Sequence, residues 1–450
     1  MEMRTAPAGS NIPFAPVAAT AFHRWLSERR IGDWSLGALI FLSGFVLYEP
    51  APYDLLLPLF VVVAALSGLR LNRHILPLIV LLMLFEAGGI IAFTQTALFG
   101  KVTVKLLTTL LLAGSAIYFA ALVSADPARY LRVIARSYVA SAVVASLVGI
   151  LAYFHAIPAW ELFVKYGRAM GPFQDPNVFG PFLILPAVLL ARGLIVGDTR
   201  PALGPALGLV VIMLAIFLAG SRAAWGMSVF AVLFVVFVDF VNERRPSRRL
   251  RILGVVTVGV VLTASMLAAA MSVPAIADLI VQRAHLVEEY DAGRLGRFAR
   301  WAIGFFLVQE HPLGIGPFRF GLIFGEDEHN TWLKGFTVYG WLGGVAYLAL
   351  AAWTLRVATP LLFRAREWQD VLVSAYAVFV AHLFTHILID QDSWRHVFLM
   401  YGILWGCAAA EKLKRRRGAT VGEAALMRPP SMIAAPGLPR GHARWTAQAR

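Results

Sequence analysis

The sequence predicts an all-α protein that crosses a membrane about twelve times. Hydrophobic residues make up 59% of the 450 residues and charged residues only 15%, whereas soluble domains carry roughly 25% charged residues. The mean hydropathy is +0.71, and apolar runs near the ~20 residues that a spanning helix needs recur along the whole chain. The single cysteine, Cys407, excludes a disulfide framework and a cysteine-based metal site.

Twelve apolar runs account for the individual spans, of which the first two and the last are short. They are Trp34–Tyr48, Leu55–Leu69, Ile75–Thr94, Leu106–Ser124, Tyr138–Phe154, Gly180–Gly197, Leu203–Gly220, Ala223–Val241, Ile252–Val273, Thr331–Leu355, Val371–Ile389 and Val397–Ala410. The first 30 residues lack an apolar core followed by a small-residue cleavage site. We therefore expect no cleavable signal peptide, and insertion through the chain's own helices.

The basic residues predict the orientation of these spans. They concentrate in alternate connectors, from Arg24, Arg29 and Arg30 before the first run to the basic cluster 412–417 after the last. The intervening connectors begin with the acidic stretch Glu49–Asp54. By the positive-inside rule, both termini lie in the cytoplasm. The formal net charge of +14 is explained in this way, so it does not require a nucleic-acid partner.

Composition divides the chain into three segments. We expect a cytoplasmic segment over residues 1–33, a transmembrane domain over 34–410 and a basic, disordered cytoplasmic tail over 411–450. Beyond Gly418 the tail is rich in Ala, Pro and Arg and lacks periodicity. The largest outer connector, residues 274–330, has apolar residues at helical spacing over 276–290 and 298–308. These stretches predict two amphipathic helices at the membrane interface.

Three outer residues are candidates for chemistry. Arg222 lies in a tight turn between two spans, Arg297 lies in the large outer loop, and His329 comes just before the next span. The topology therefore places all three on one side of the membrane. Guanidinium groups bind phosphate oxygens bidentately, and imidazole exchanges protons near neutral pH. This combination predicts a site for a phosphate-bearing lipid.

Five ordered motifs between residues 170 and 345 carry a resemblance to a known family. They are Gly171–Gly180 (GPFQDPNVFG), Gly220–Trp225 (GSRAAW), Gly296–Trp301 (GRFARW), His311–Gly316 (HPLGIG) and His329–Leu333 (HNTWL) followed by Gly340. With its span count and loop placement, the chain resembles the O-antigen ligase/polymerase superfamily of membrane glycosyltransferases. Each motif alone is weak, but the ordered set is specific.

The resemblance implies an activity and roles for residues. The expected reaction transfers a glycan from undecaprenyl diphosphate to a sugar hydroxyl of lipid A-core, at the periplasmic face of the bacterial inner membrane. It is expected to be inverting and to need no metal or other cofactor. Arg222, Arg297 and His329 match the family's functional residues. The alternative within the superfamily is a polymerase, whose acceptor is another carrier-linked repeat. The sequence does not predict an oligomeric state.

Further binding candidates surround these three. Some ligases have an Arg-x-x-x-Leu pattern, but here the sequence is Arg297-Phe-Ala-Arg-Trp301, so the working arginine is one of Arg294, Arg297 and Arg300. Arg168 is a further candidate for binding the diphosphate or the glycan, with a solvated loop as the alternative. The remaining candidates, Asn330 and His386, lie at helix mouths on the same side.

Each candidate also has a structural alternative. In these alternatives, the Arg222 side chain only extends to the membrane surface at a helix end, Arg297 contacts lipid headgroups, and His329 caps the following helix. The acidic run 326–328 is expected to be solvated. The turn Asp175-Pro176-Asn177 is expected to lead into the sixth span.

Buried polar residues raise two more alternatives. His382, His386 and Asp390 stand four residues apart, a spacing that suits a metal site or proton relay, although packing or cavity lining is the interpretation we favour. Glu86 lies within an apolar run and should face a cavity or a partner. A transporter would use Glu86 and His386 in a permeation path, but the chain has few intramembrane charges and no repeated halves, so an enzyme is favoured.

Overall fold

The computed structural model describes residues 29–197, 203–272, 274, 277–278 and 296–426. The chain divides into two units, Met1–Ala410 and Glu411–Arg450. In the described ranges the secondary structure is almost entirely α-helical, with one small β-hairpin.

The described ranges contain fifteen α-helices. They are α1 (Arg29–Leu42), α2 (Pro52–Leu66), α3 (Leu76–Phe93), α4 (Phe99–Ala125), α5 (Pro127–Tyr153), α6 (Pro176–Phe182), α7 (Ile184–Val196), α8 (Leu203–Leu218), α9 (Arg222–Asn242), α10 (Pro246–Ala270), α11 (Arg297–Glu310), α12 (Arg319–Phe324), α13 (Thr331–Ala358), α14 (Gln369–Thr385) and α15 (Arg395–Leu426). The hairpin pairs β1 (Val164–Lys165) with β2 (Arg168–Ala169), so that Val164 lies opposite Ala169.

Helices overlap all twelve predicted apolar runs. Six helices of the described ranges are long and apolar enough to cross a membrane: Arg73–Phe93, Phe99–Ala125, Pro127–Tyr153, Pro176–Val196, Arg222–Asn242 and Thr331–Leu361. Four further apolar helices are shorter: Ile31–Leu42, Pro52–Leu66, Leu203–Leu218 and Gln369–Thr385. The all-α membrane class agrees with the sequence prediction, while the number of twelve crossings stays a prediction.

Two helix boundaries differ from the predicted ones for local reasons. The first span was expected to reach Tyr48, but α1 ends at Leu42, and the backbone N–H of Val46 then donates to the carbonyl of Pro172 at 2.7 Å. The fifth span was expected to begin at Tyr138, but α5 begins at Pro127. There the Asp126 carboxylate accepts from the backbone N–H of Arg129 at 3.1 Å, because an N-cap followed by proline starts a helix efficiently.

The predictions for the outer loop and the tail have different outcomes. The amphipathic stretch over 298–308 is confirmed as a helix, α11. The stretch over 276–290 lies almost wholly outside the described residues. The disordered cytoplasmic tail over 411–450 stays a prediction, and the last helix, α15, runs from Arg395 to Leu426. Residues 427–450 lie outside the described ranges.

The pair α3 and α13 forms a closely packed part of the core. A side chain at Gly88 would collide with the backbone of Tyr339 and Gly343, so the two helices approach at a glycine contact. The rings of Phe85 and Tyr339 stack with 4.0 Å between their centroids. Glu86 is 4% exposed and accepts a hydrogen bond from Thr109 Oγ1 at 3.0 Å, which is the kind of partner expected for it.

A kink at Gly340 interrupts α13 and docks the HPLGIG motif onto it. Gly340 has φ 65° and ψ −176°, a backbone conformation that essentially only glycine adopts. The backbone N–H of Trp341 donates to Pro312 at 2.9 Å, and the N–H of Ile315 donates to Thr337 at 2.8 Å. These bonds replace helical hydrogen bonds that are lost at the kink. They attach the HPLGIG motif to the helix that begins within the HNTWL motif.

Candidate active site

Arg222 is the first residue of α9. Gly220 turns the chain with φ 55°, and Ser221 is the N-cap, its Oγ accepting from the N–H of Ala224 at 3.4 Å. The Arg222 side chain is half-buried. The first turn of a helix presents unpaired N–H groups and a partial positive charge. The guanidinium therefore lies where an anion is already favoured.

Arg168 supports this turn from the β-hairpin. It is 5% exposed; its Nε donates to the carbonyl of Ala219 at 2.7 Å and its Nη2 donates to Asn177 Oδ1 at 2.8 Å. The alternative of a solvated loop is therefore wrong. The turn into the sixth span is present as expected, but its N-cap is Asp175 and not Asn177, because the Asp175 carboxylate accepts from the N–H of Asn177 at 2.7 Å. Arg168 thus joins the GPFQDPNVFG motif to the turn that carries Arg222.

The arginines near α11 have different environments. Arg297 is half-buried and is the first residue of α11, after the N-cap Gly296. Arg300 is 5% exposed, and its Nη2 lies 2.6 Å from Glu326 Oε2. A guanidinium that is already paired with a carboxylate is less available to phosphate, which lowers the case for Arg300 as a phosphate-binding residue. Arg294 lies outside the described residues.

His329 lies in a short loop that is held on both sides. Its φ is 47°, in the left-handed region, and its imidazole is half-buried. Before it, the Glu328 carbonyl accepts from Trp301 Nε1 at 2.8 Å, which joins the GRFARW and HNTWL motifs. After it, the N–H of Asn330 donates to Asp390 Oδ1 at 3.0 Å, and the N–H of Thr331 donates to the carbonyl of His386 at 2.6 Å. The backbone of His329 is therefore closely positioned.

Asn330, proposed from the sequence as a binding residue, is the N-cap of α13. Its Oδ1 accepts from the backbone N–H of Leu333 at 3.1 Å. The cap that the sequence attributes to His329 as an alternative is therefore made by its neighbour. This leaves the His329 imidazole uncommitted to capping.

Glu328 differs from the solvated residue that the sequence suggests. It is 3% exposed, and its Oε1 accepts from Thr337 Oγ1 at 2.6 Å. Burial raises the pKa of Glu328 to about 7, against the opposing effect of the Lys334 ammonium. A titrating carboxyl group therefore lies directly next to His329 in sequence.

Behind the His329 loop lies a network of charges that sequence reasoning missed. Lys105 Nζ lies 2.8 Å from Asp392 Oδ2, and Lys334 Nζ lies 3.1 Å from Asp390 Oδ2 and 4.0 Å from Asp392 Oδ1. The hydroxyl of Tyr339 donates to Asp392 at 2.9 Å. Burial alone would raise the pKa of Asp392, but the two ammonium groups hold it well below its usual range. The signal for this network in the sequence was the position of the two lysines near the ends of apolar runs.

His386 is packed inside the protein. It is 0% exposed; its Nε2 lies 2.8 Å from the Tyr347 hydroxyl and its Nδ1 lies 2.5 Å from the His382 carbonyl. His382 Nδ1 lies 2.6 Å from Gln391 Oε1. Because α14 ends at Thr385 and not at Ile389, Asp390 does not continue the helical face of the two histidines. The geometry favours packing for His386, and among the described residues no three His, Cys, Asp or Glu side chains group to hold a metal.

Contacts around the end of α14 connect Arg222 with His329. Thr385 Oγ1 lies 3.5 Å from the Sδ of Met227 in the second turn of α9, whose first residue is Arg222. The next residue, His386, binds the backbone of Thr331, which begins α13 directly after His329 and Asn330. The N-terminal ends of α9 and α13 therefore both reach this region.

A comparison with protein families covers four of the five motifs. Residues 207–348 match the O-antigen ligase family. The match supports the O-antigen ligase superfamily that the motifs predict, and with the apolar helices it indicates a multi-pass membrane enzyme of the ligase/polymerase type. No curated protein matches the chain.

The O-antigen ligase match covers about a third of the chain and contains all three principal candidates, Arg222, Arg297 and His329. Residues outside it complete their surroundings. Arg168 supports the Arg222 turn, and Lys105 and Asp390 belong to the network behind the His329 loop. The arrangement therefore depends on helices on both sides of the matched segment.

Proposed function

We propose that the protein transfers a glycan from undecaprenyl diphosphate to a sugar hydroxyl at the outer face of the bacterial inner membrane. One observation carries the proposal: each principal candidate lies where a helix begins. Arg222 and Arg297 are the first residues of α9 and α11, and His329 directly precedes the N-cap of α13. Three helix N-termini with two guanidinium groups favour a diphosphate, and the imidazole adds a base.

The proposed reaction is a single displacement with inversion. His329 accepts the proton of the acceptor hydroxyl as its oxygen attacks the anomeric carbon of the donor sugar. The bond between that carbon and the phosphate oxygen breaks, and undecaprenyl diphosphate leaves with the bonding electrons. Arg222 and Arg297 stabilise the charge that grows on the leaving oxygen. In this scheme neither an electron carrier nor a metal takes part.

The acceptor distinguishes two versions of this function. In the first version, which the sequence resemblance led us to expect, the protein is a ligase and uses lipid A-core as acceptor. As a polymerase it uses another carrier-linked repeat. Donor and leaving group are the same in both versions, so the same arginines and histidine serve either. We further propose that both termini lie in the cytoplasm, because basic residues cluster in alternate connectors.

A deletion strain tests the proposal and separates the versions. Loss of a ligase leaves long carrier-linked chains and unsubstituted lipid A-core, whereas loss of a polymerase leaves core that bears a single repeat. Both are measured by separating lipopolysaccharide and carrier-linked glycans by size. A deletion strain with normal glycan on its core and no accumulated carrier-linked glycan would refute the proposed function, as would accumulation on the cytoplasmic side, which indicates transport.

A further inference from the structure

A cavity of about 150 Å³ lies between the end of α7, the end of α9 and the start of α10. We call it the Arg248 cavity. Its lining includes two buried aliphatic side chains and four charged ones: Ile195, Ile252, Asp239, Glu243, Arg248 and Arg251. Arg248 is exposed, so the cavity opens to its surroundings. Since α9 has 21 residues and begins at Arg222, the cavity lies about 30 Å from that residue, at the other end of the helix.

The chain beside this cavity is strongly basic. Residues 243–251 contain one glutamate and five arginines, which are Arg244, Arg245, Arg248, Arg249 and Arg251. The side chains of Arg244, Arg245 and Arg248 are exposed. The first turn of α10, which begins at Pro246, adds the partial positive charge of a helix N-terminus. This excess of positive charge favours an anionic ligand.

The two carboxylates in the lining do not cancel this charge. Asp239 accepts from Arg192 Nε at 2.9 Å and from its Nη2 at 2.6 Å, so it is already paired within the protein. Glu243 Oε1 accepts from the N–H of Arg245 at 2.9 Å, and its Oε2 lies 3.7 Å from Arg248 Nη1. The N–H of Arg245 and the guanidinium groups of both arginines lower the pKa of Glu243, as a positive local potential requires. In the described lining, Glu243 is therefore the single carboxylate set against these arginines.

Contacts within the protein hold the arginine-bearing end of α10 in place. Arg249 Nε donates to the carbonyl of Glu243 at 2.8 Å, directly after α9. Arg251 Nη2 donates to the carbonyl of Gly197, directly after α7. Arg248 lies three residues before Arg251, so both side chains lie on one face of α10 and line the same cavity. A ligand in the cavity therefore meets two guanidinium groups whose helix is attached to both neighbouring helices.

The rest of α10 is apolar and largely exposed. From Ile252 to Ala270 its sequence contains no charged residue. Leu253, Val258 and Leu262 are 48%, 59% and 58% exposed. The helix therefore leads from a charged end to an apolar surface, which is the order of headgroup and acyl chains in one leaflet of a membrane. Basic pockets between helices at a membrane face are typical sites for anionic lipid headgroups. This order favours a phospholipid over a soluble phosphate, which would use the charged end alone.

We propose that the Arg248 cavity binds the phosphate group of an anionic phospholipid in the leaflet opposite the candidate active site. Arg248 and Arg251 donate hydrogen bonds to the phosphate oxygens, and Arg244 and Arg245 attract the headgroup. The glycerol lies against Ile252, and the acyl chains follow the exposed apolar surface of α10. A bound lipid contacts the ends of three helices, so it stabilises the folded protein. This site takes no part in glycan transfer, so the inference goes beyond the proposed function.

Lipid binding to the purified, full-length protein tests this inference. After lipids are removed in detergent, native mass spectrometry measures the Kd for phosphatidylglycerol and for phosphatidylcholine, with inorganic phosphate as a competitor. Wild type should bind phosphatidylglycerol more tightly than phosphatidylcholine. The double variant Arg245→Gln with Arg248→Gln should weaken phosphatidylglycerol binding about 10- to 30-fold, because two positive charges are lost. Phosphatidylglycerol should also raise the unfolding temperature of wild type more than that of the double variant.

Arg132→Gln with Arg136→Gln is the matched control. Both residues are exposed and lie near the start of α5, so this variant removes the same charge from another basic helix end. It should bind phosphatidylglycerol as wild type does. Arg245→Lys with Arg248→Lys keeps the charge that orients the helices, so it replaces the glutamine variant if that protein fails to insert. Because lysine lacks the planar guanidinium fork, the lysine variant should still weaken binding about threefold.

Four other outcomes overturn the assignment. Equal Kd values of wild type for the two phospholipids would mean that no anionic headgroup is selected. Wild-type binding of phosphatidylglycerol by the glutamine variant, or by the lysine variant in its place, would put the lipid elsewhere. An equal loss in the Arg132 and Arg136 control would indicate general attraction by surface charge. Displacement of phosphatidylglycerol by an equal concentration of inorganic phosphate would indicate a site for soluble phosphate. None of these outcomes affects the proposed function, which depends on the opposite face of the membrane.

Discussion

Substitution of Gly340 by alanine tests whether the HPLGIG motif holds the kink of α13. A Cβ atom at this position would lie 2.7 Å from the carbonyl carbon of Leu313, 2.8 Å from its oxygen and 3.0 Å from the oxygen of Pro312. These are backbone atoms, so the contact is not relieved by a change of side-chain rotamer. The backbone at φ 65° and ψ −176° is also unfavourable for alanine.

The expected cost follows from these two effects. Placing a non-glycine residue in this backbone region costs about 1–3 kcal/mol, and overpacking a filled site costs about 1–3 kcal/mol. Gly340→Ala should therefore lower the free energy of unfolding by about 2–6 kcal/mol. Domains are stable by only about 5–15 kcal/mol, so this is a large fraction.

The assay is thermal unfolding of the purified protein in one detergent, together with its abundance in membranes. Gly114→Ala is the matched control, because Gly114 lies within α4 and a Cβ there meets no atom within 4 Å. Alanine inside a helix is favoured over glycine by roughly 0.5–1 kcal/mol, so the control should be as stable as wild type or more so. Unfolding of Gly340→Ala at the wild-type temperature would refute the account of the kink.

Three other variants test the surroundings of the candidate residues. Arg300→Ala should lower stability by about 1–2 kcal/mol through loss of its bond to Glu326. Arg297→Ala should lower transfer more than Arg300→Ala does, and a larger loss of transfer in Arg300→Ala would assign the working guanidinium to Arg300. Because the pKa of Glu328 is raised in the folded protein, the free energy of unfolding should fall by up to about 3 kcal/mol as the pH rises from about 4.5 to above 7. Glu328→Gln should flatten this pH dependence in unfolding curves. An equally steep pH dependence in Glu328→Gln would contradict the role of this carboxyl group. Asp390→Ala should reduce the transfer rate about 10- to 100-fold by releasing Asn330 and Lys334. Asp390→Asn should recover part of this rate, because its amide oxygen still accepts the hydrogen bond from the N–H of Asn330. A wild-type rate in Asp390→Ala would exclude a positioning role for Asp390.

The apolar runs were sufficient to predict the helices, because a chain with so few charges has to bury long hydrophobic segments. They could not predict the kink in α13, since Gly340 is only one of several glycines in that run. Its backbone conformation depends on contacts with Pro312 and Leu313, which approach from a different part of the chain. Likewise, the early end of α14 depends on Thr331 binding the carbonyl of His386.

The sequence predicted the parts of the candidate site that lie in continuous motifs. It did not predict the parts that depend on contacts between distant segments of the chain. The motifs around Arg222, Arg297 and His329 are continuous in sequence and could be recognised directly. Arg168 was a candidate from its place in a loop, but its bonds to Ala219 and Asn177 require the folded chain. The pairing of Lys105 with Asp392 joins residues from opposite ends of the transmembrane unit. No spacing rule in a single sequence indicates such a pair.

The central claim is that Arg222 and His329 carry out glycan transfer, and one rate measurement tests it. Transfer from carrier-linked glycan is followed in membranes that contain equal amounts of each variant. Arg222→Ala and His329→Ala should each lower the rate by about 100-fold or more. The controls are Arg319→Ala, because Arg319 also begins a helix, and His155→Ala, because His155 has a similar φ of 54°. Wild-type rates for the controls together with this loss are the predicted result, and full activity of both Arg222→Ala and His329→Ala would contradict the assignment.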